Sequence, residues 1–294
     1  MGETAALASA LMWALGSLVF AHVGARFPTL ALNLLKTAMA WVGLALTLAV
    51  TTGRMWPAGL EGASLGWVAL SGIIGLTLGD SLYFVSLVRL GPRRALILWA
   101  LTPSVTAVLA AFVLREPIDG SFLTGLVVTS IGVGLVLRAR AAPGPQEIAE
   151  RPSLSWVGLL CGLGAVLCQA GGSVTAKLGG VGLSGLELTV VRLAFGTATL
   201  LGPGLLALRR PRAPLSPSLL GQIGFGTFLG TYLGIWLSMV ALQNAPAGVV
   251  ATLQSTSPVF VLPLARIALG ERIEPAAVLG AGLSVVGVGI LTLG

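Results

Sequence analysis

Charge is what this chain has least of. Of its 294 residues only 9% are charged against 55% hydrophobic, and its mean hydropathy is +0.97. Soluble domains carry about 25% charged residues, so a water-exposed exterior is excluded and the chain reads as an integral membrane protein. Cysteine is nearly absent too. Cys161 and Cys168 are the two present, and their spacing sets them ~10 Å apart along one helix, beyond disulfide reach; they read as packing residues. His22 stands alone, with no second histidine or cysteine cluster to hold a metal, and no enzyme constellation or cofactor motif appears. The first residues carry Glu3 and no basic run, unlike a removable signal peptide, so the first apolar stretch is expected to remain as a helix. The polar–apolar alternation of a barrel strand is missing as well.

What is there is length of apolar run. Crossing the hydrocarbon takes ~20 apolar residues at ~1.5 Å rise each. Ten stretches satisfy this: about 3–23, 29–51, 65–89, 93–114, 121–138, 155–177, 184–208, 217–241, 247–269 and 275–293. The expectation is an all-α membrane protein of ten transmembrane helices.

Part of this chain is written twice. Gly91-Pro92 leads to Pro103, Glu116, Ile118, Gly125, Gly132 and Gly134; Ala245-Pro246 leads to Pro258, Glu271, Ile273, Gly280, Gly287 and Gly289. Glutamate follows proline at an interval of thirteen residues in both, Leu109-Ala110 returns as Leu264-Ala265, and from Pro103 to Gly134 the offset is a constant 155. A repeat of this kind fixes architecture before any single residue is interpreted. At an offset of 156, Trp13 and Gly16 also match Gln169 and Gly172, and Lys36 matches Arg192. Between the copies lies the polar, proline-rich segment 139–154, ARAAPGPQEIAERPSL, which reads as an exposed linker. The division is therefore residues 1–140, a linker at 141–154, and residues 155–294. Five spans per copy is an odd number, which forces the second copy into the membrane upside down, an inverted-topology repeat.

The five-plus-five arrangement, the Pro-x12-Glu element closing each fourth helix and the basic residue in each second helix resemble the drug/metabolite transporter superfamily, and within it the EamA-type ten-helix exporters. The resemblance covers almost the whole chain. It implies a secondary transporter moving small metabolites such as amino acids or drugs outward, with a cavity between the halves. Small multidrug relatives carry a proton-binding glutamate inside their first helix, whereas this first helix has Glu3 at its edge; proton coupling there is not expected.

Physics gives a separate route to the cavity. An ionisable group at mid-bilayer costs about 2.5–3.5 kcal/mol and so faces a polar interior. Lys36, Asp80 and Arg192 are such groups. Lys36 and Asp80 sit ~10–13 Å inside the same face and can pair. Arg192 lies at similar depth from the other face, and Gly234 or Ile235 stands where its acid would be. If Asp80 neutralises Lys36, Arg192 leaves a positive charge for a carboxylate or other anion, with Glu187 as the competing partner. The alternative is structural ion pairs or side chains snorkelling to the interface. Proline frees the carbonyl four residues before it, which marks Trp99 and Gln254, each four residues before its proline. Such a carbonyl must line a cavity or find another donor. Tyr83, Tyr232, Trp236, Trp13 and Gln169 complete the expected substrate lining. Glu116 and Glu271 sit at helix C-termini, where the dipole disfavours them by about 0.3–1 kcal/mol, and read as locks needing a nearby donor. Gly125, Gly132, Gly134 and their copies read as close-approach points between helices.

The net charge of +7 bears on orientation, not on nucleic acid. Apart from Lys36 and Arg192, Arg54, Arg115 and Lys177 fall on the side of the termini and twelve basic residues on the other. The positive-inside rule then puts both termini outside, whereas the resemblance implies termini inside; the two readings stand open. The sequence reading is a multi-pass transporter in a bacterial cytoplasmic membrane, a monomer or weak dimer. Its partners are a small-molecule substrate, the lipid bilayer, and a proton or counter-substrate left undecided. An organic-anion or phosphorylated-metabolite exchanger, and a membrane enzyme or lipid-handling protein, are the alternatives.

Overall fold

The computed structural model describes residues 1–24, 28–90, 95, 98–139, 155–209, 216–257, 259–260 and 274–293. Among them the secondary structure is helical, with no strand. The helices are α1 (Gly2–Gly24), α2 (Thr29–Thr52), α3 (Gly62–Ser71), α4 (Asp80–Leu90), α5 (Thr102–Val113), α6 (Gly120–Ala139), α7 (Trp156–Gly179), α8 (Gly185–Leu208), α9 (Pro217–Gly226), α10 (Gly234–Asn244), α11 (Ala247–Gln254) and α12 (Pro275–Leu293). Two π-helical stretches, Gly72–Gly79 and Thr227–Leu233, join α3 to α4 and α9 to α10 as continuous rods. Six helices among the described residues are long and apolar enough to cross a membrane: Thr29–Thr52, Gly62–Ser86, Gly120–Leu137, Trp156–Gly179, Gly185–Leu208 and Pro217–Asn244. Pro258, Glu271, Ile273 and Leu264-Ala265, all part of the second copy of the repeat, lie outside the described residues, as does linker segment 140–154.

Burial follows the rule for a chain dissolved in lipid. Phe112 is 76% exposed and Trp156 70%, while Arg192 is 3% exposed and Asn33, Thr37, Thr189 and Ser9 are buried. Lipid tails accept the apolar faces, and the polar groups turn inward, where partners exist. Packing between helices is not driven by hydrophobic burial in such a solvent. It relies on small residues that let backbones touch.

Glycines supply that contact along a seam between α6 and α12. A Cβ built on Gly125 would lie 2.5 Å from Leu291, on Gly132 2.5 Å from Ser284, and on Gly280 2.8 Å from the Val136 nitrogen; one on Gly287 would collide with Thr129. Each step forward on α6 is a step back on α12, so the two run antiparallel. The contacts are also reciprocal: the offset of 155 carries Gly125 to Gly280 and Gly132 to Gly287. Gly134 and Gly289 behave otherwise. A Cβ on either meets nothing within 4 Å, so these two are not close-approach points, because two residues of α-helix turn the backbone by ~200° away from the seam.

The copies also exchange helices. α1 packs along the rod of residues 217–244, and α7 along the rod of residues 62–90. The crossings are glycine on glycine: a Cβ on Gly16 would be 2.8 Å from the Gly230 Cα, and one on Gly172 3.0 Å from the Gly75 Cα. Both crossings fall on a π-helical stretch.

Candidate functional site

The repeated fourth helix breaks where proline requires it. In the first copy α5 starts at Thr102, with Pro103 in its first turn and a turn at residues 100–101 before it. Pro103 cannot donate to the Trp99 carbonyl, and the Thr102 hydroxyl does so instead at 2.7 Å. In the second copy the Ser257 hydroxyl donates to the Gln254 carbonyl at 2.8 Å. Both freed carbonyls therefore take a local hydroxyl, which satisfies them at membrane depth without water.

Lys36 of α2 and Asp80, the first residue of α4, reach each other across the gap between their helices. The Lys36 Nζ lies 3.0 Å from the Asp80 Oδ2, both side chains being about nine-tenths buried at 11% and 15% exposure. The ammonium also stands 6.0 Å above the Phe84 ring. Tyr83, on the same helix as Asp80, packs its ring 4.7 Å from Trp99, so Lys36 and Trp99 both meet the first turns of α4, just after the first π stretch. Asn33 of α2 donates to the Leu76 carbonyl within that stretch at 3.2 Å. Gln169 lies beside its last residue, Gly79.

Arg192 of α8 lies against the π stretch itself. Its backbone is pressed against Gly72, and its Nη2 would be 3.1 Å from a Cβ on Gly75. No carboxylate pairs with it among the described residues. Its Nη1 donates to the Met239 sulfur at 2.8 Å, and its Nε has no partner among the described residues. Glu187, the competing partner, is engaged elsewhere: it forms a capping box with Ser184, accepting from the Ser184 backbone nitrogen at 2.8 Å. A thioether is a weak, neutral acceptor. A buried charge left without its partner costs about 3–5 kcal/mol.

The remaining candidates form a second group. Gln254 donates to the Ser9 hydroxyl at 3.3 Å, and Ser9 donates to the Gly234 carbonyl at 2.8 Å. Trp13 is 40% exposed and lays its indole on Gly234. Tyr232 turns to α2, sharing a 2.5 Å hydrogen bond with the Thr47 hydroxyl, and meets Trp236 edge to face at 6.1 Å. None of the ten candidates lines the cavity of about 190 Å³ near the termini, which is walled by Glu3, Glu116, Asp119, Phe122, Pro246 and Leu291.

That cavity abuts a lock between the copies. The Glu116 carboxylate accepts from Lys177 Nζ at 2.6 Å and from the Ala247 backbone nitrogen at 2.8 Å, and Lys177 also donates to the Ala245 carbonyl at 2.7 Å. The dipole of its own helix repels this carboxylate, but the N-terminus of α11 attracts it. Preceding it, Arg115 has φ 57°, the one left-handed non-glycine among the described residues, and that turn aims Glu116 across to the second copy.

With this geometry in place, likeness to known proteins becomes informative. The EamA-like transporter family model matches residues 1–138 and again residues 156–293. This chain belongs to the EamA-like transporter family. It is a multi-pass membrane protein, and membrane transport is its activity. An "Uncharacterized transporter" of Clostridium kluyveri is 24% identical over 233 residues, covering 78% of this chain and 72% of that protein. A "Probable terminal-alkyne amino-acid exporter" of Streptantibioticus cattleyicolor is 30% identical over 123 residues, 41% of this chain and 39% of that one. A solved crystal structure superposes with a TM-score of 0.80 over 99% of this chain and 96% of that chain at 19% identity, a likeness of fold.

Three features of this EamA chain were not read from sequence: the π stretches, Ser9, and Met239 as the contact of Arg192. The signal for the first was present as glycines at 72, 75 and 79 and at 226, 230 and 234. π geometry in a helix is uncommon and tends to mark functional sites.

Proposed function

We propose that this transporter exports small polar or amphipathic metabolites, amino acids and drugs among them, across a bacterial cytoplasmic membrane by alternating access. In this reading residues 1–140 and 155–294 are inverted five-helix repeats, ten spans in all, joined by residues 141–154, and they rock about a site at mid-membrane. The inverted arrangement is supported by the antiparallel α6–α12 seam and by the matched crossings Gly16–Gly230 and Gly172–Gly75. The division is supported by the separate family matches at residues 1–138 and 156–293. The amino-acid exporter named among its relatives favours that substrate class.

The observation that carries the reading is three buried ionisable groups at one rod, Lys36 paired with Asp80 just after its π stretch and Arg192 set against Gly72 and Gly75 within that stretch. A scaffold would have no use for charges at such a cost. Tyr83, Trp99 and Gln169 near them, and Trp13, Tyr232, Trp236 and Gln254 in the second group, supply aromatic and amide surface for an amphipathic substrate. The phosphorylated-metabolite alternative needs two free cations, and Lys36 is held by Asp80 at 3.0 Å.

The test is flux. Purified protein in liposomes is given a panel of labelled amino acids and cationic drugs, with and without a proton gradient. Saturable movement of at least one class, lost in Asp80→Ala, is expected. No movement of any member would refute the assignment.

A further inference from the structure

We infer that Arg192 is the receptor for a carboxylate on the transported molecule, and that the Met239 thioether holds its place until the carboxylate arrives. This rests on the transporter reading and names the substrate's chemical class. Arg192 is 3% exposed, its Nε has no acceptor, and Nη1 has only the Met239 sulfur at 2.8 Å. A guanidinium offers five donors in a planar fork that a carboxylate matches with two parallel hydrogen bonds. The wall beside it cannot supply them. Gly72 and Gly75 stand there without side chains, Gly72 against the backbone of α8 and Gly75 beside Gly172 of α7.

Charge fixes the class further. Lys36, Asp80 and Arg192 together leave one positive charge, because Lys36 and Asp80 neutralise each other at 3.0 Å. One carboxylate balances it. A dianionic phosphate would need the Lys36 ammonium as well, and Asp80 occupies that.

The means of exposing Arg192 lies in the same rod as Met239. The π stretch Thr227–Leu233 ends just before α10, which carries Met239. A π turn holds one residue more than an α turn. Returning it to α geometry would rotate α10 by ~100° and carry the sulfur off the guanidinium, opening the fork to an incoming anion.

The experiment uses the full-length protein and matched triads: leucine, leucinamide and 4-methylpentanoate; phenylalanine, phenylalaninamide and 3-phenylpropanoate. Binding is measured by calorimetry in detergent and flux in liposomes. The acids, with or without the amino group, should bind at least tenfold more tightly than the amides. Arg192→Gln should weaken the acids by about ten- to a hundredfold and leave the amides within threefold, the range expected for a lost charge-assisted hydrogen bond. Met239→Glu, close in size to methionine, should do the same with Arg192 intact, by neutralising it from within. Met239→Gln should weaken the acids at least tenfold less than Met239→Glu. Where Arg192→Gln does not fold, the Met239 pair carries the test. Flux of amides equal to or above that of acids, or an acid preference surviving Met239→Glu, overturns the inference and leaves the transporter standing. Flux of no triad member, with none for the cationic drugs, overturns both.

Discussion

The two copies treat the same buried cation differently. In the first, Lys36 meets Asp80 at 3.0 Å; in the second, its counterpart Arg192 meets the sulfur of Met239 at 2.8 Å. The offset that carries Gly75 to Gly230 carries Asp80 to Ile235, which is 6% exposed and packs in the apolar core. Both copies hold a basic residue at this position and a π stretch in the third helix, but the second has no carboxylate where the first has Asp80. Of these three charges, Arg192 is the one with no carboxylate partner among the described residues.

The largest effect that tests this contrast comes from removing the counterion that remains. Asp80→Asn leaves Lys36 buried without a charge partner and should destabilise the protein by about 3–5 kcal/mol, read as a fall in thermal unfolding temperature in detergent. The double change Lys36→Met with Asp80→Leu removes both charges and should recover most of that stability while abolishing transport. Should the double variant be no more stable than the single, the pair is not a balanced buried ion pair and the contrast with Arg192 dissolves.

Next in size is the seam where the copies agree. Gly132→Ala and Gly287→Ala each drive a Cβ into the partner helix, 2.5 Å from the Ser284 nitrogen and onto Thr129 respectively. Overpacking of this kind costs about 1–3 kcal/mol, and the two losses should match within experimental error. Gly134→Ala, where a Cβ meets nothing within 4 Å, should not destabilise. Unequal losses would show that the contacts do not share one symmetry.

Glu116→Gln should cost about 1–2 kcal/mol, less than a fully buried pair, because Lys177 is 25% exposed and water screens part of the attraction. The substitution leaves the Ala247 amide an oxygen to bond but removes the charge that both Lys177 and the α11 terminus attract. A double cycle with Lys177→Met isolates that coupling. Its value should be near 1 kcal/mol, and zero coupling would reduce the lock to packing.

These contrasts separate what the sequence carries from what folding adds. Depth along a helix is additive at a fixed rise, so the Lys36–Asp80 pairing could be read from where each helix begins and ends. Repetition is likewise a property of the string, and it exposed the Gly125–Gly132 seam. Direction around a helix is another matter. Gly134 shares the glycine motif yet faces away, and only the rotation of the folded helix reveals it. Glu116 was seen to need a donor, but Lys177 is 61 residues distant, and nothing local points to it. The π stretches change register by one residue partway along a rod, which no period of 3.6 anticipates.

The smallest effect again contrasts the copies, at the start of their fifth helices. Asp119 caps α6, its Oδ1 accepting from the Phe122 backbone nitrogen at 2.7 Å and the Ser121 hydroxyl at 2.9 Å. The equivalent residue before α12 is Glu274, whose carbonyl accepts from Ala277 at 2.9 Å, while its longer side chain makes no such cap among the described residues. Asparagine, aspartate and serine are the preferred caps because their short side chains reach the free amides. The Phe122 amide first, and the Ser121 hydroxyl after it, hold the Asp119 carboxyl below its ordinary 3.8. A depressed carboxyl adds stability that is fully present above its unfolded pKa and is lost as pH falls through the folded value. Asp119→Ala should therefore lower the unfolding temperature slightly at pH 7, and the difference from wild type should shrink once the pH drops below that of an ordinary aspartate. Glu274→Ala should give a smaller change with no such acid dependence. Equal, pH-independent losses at both positions would mean that the cap contributes through its geometry and not through its charge.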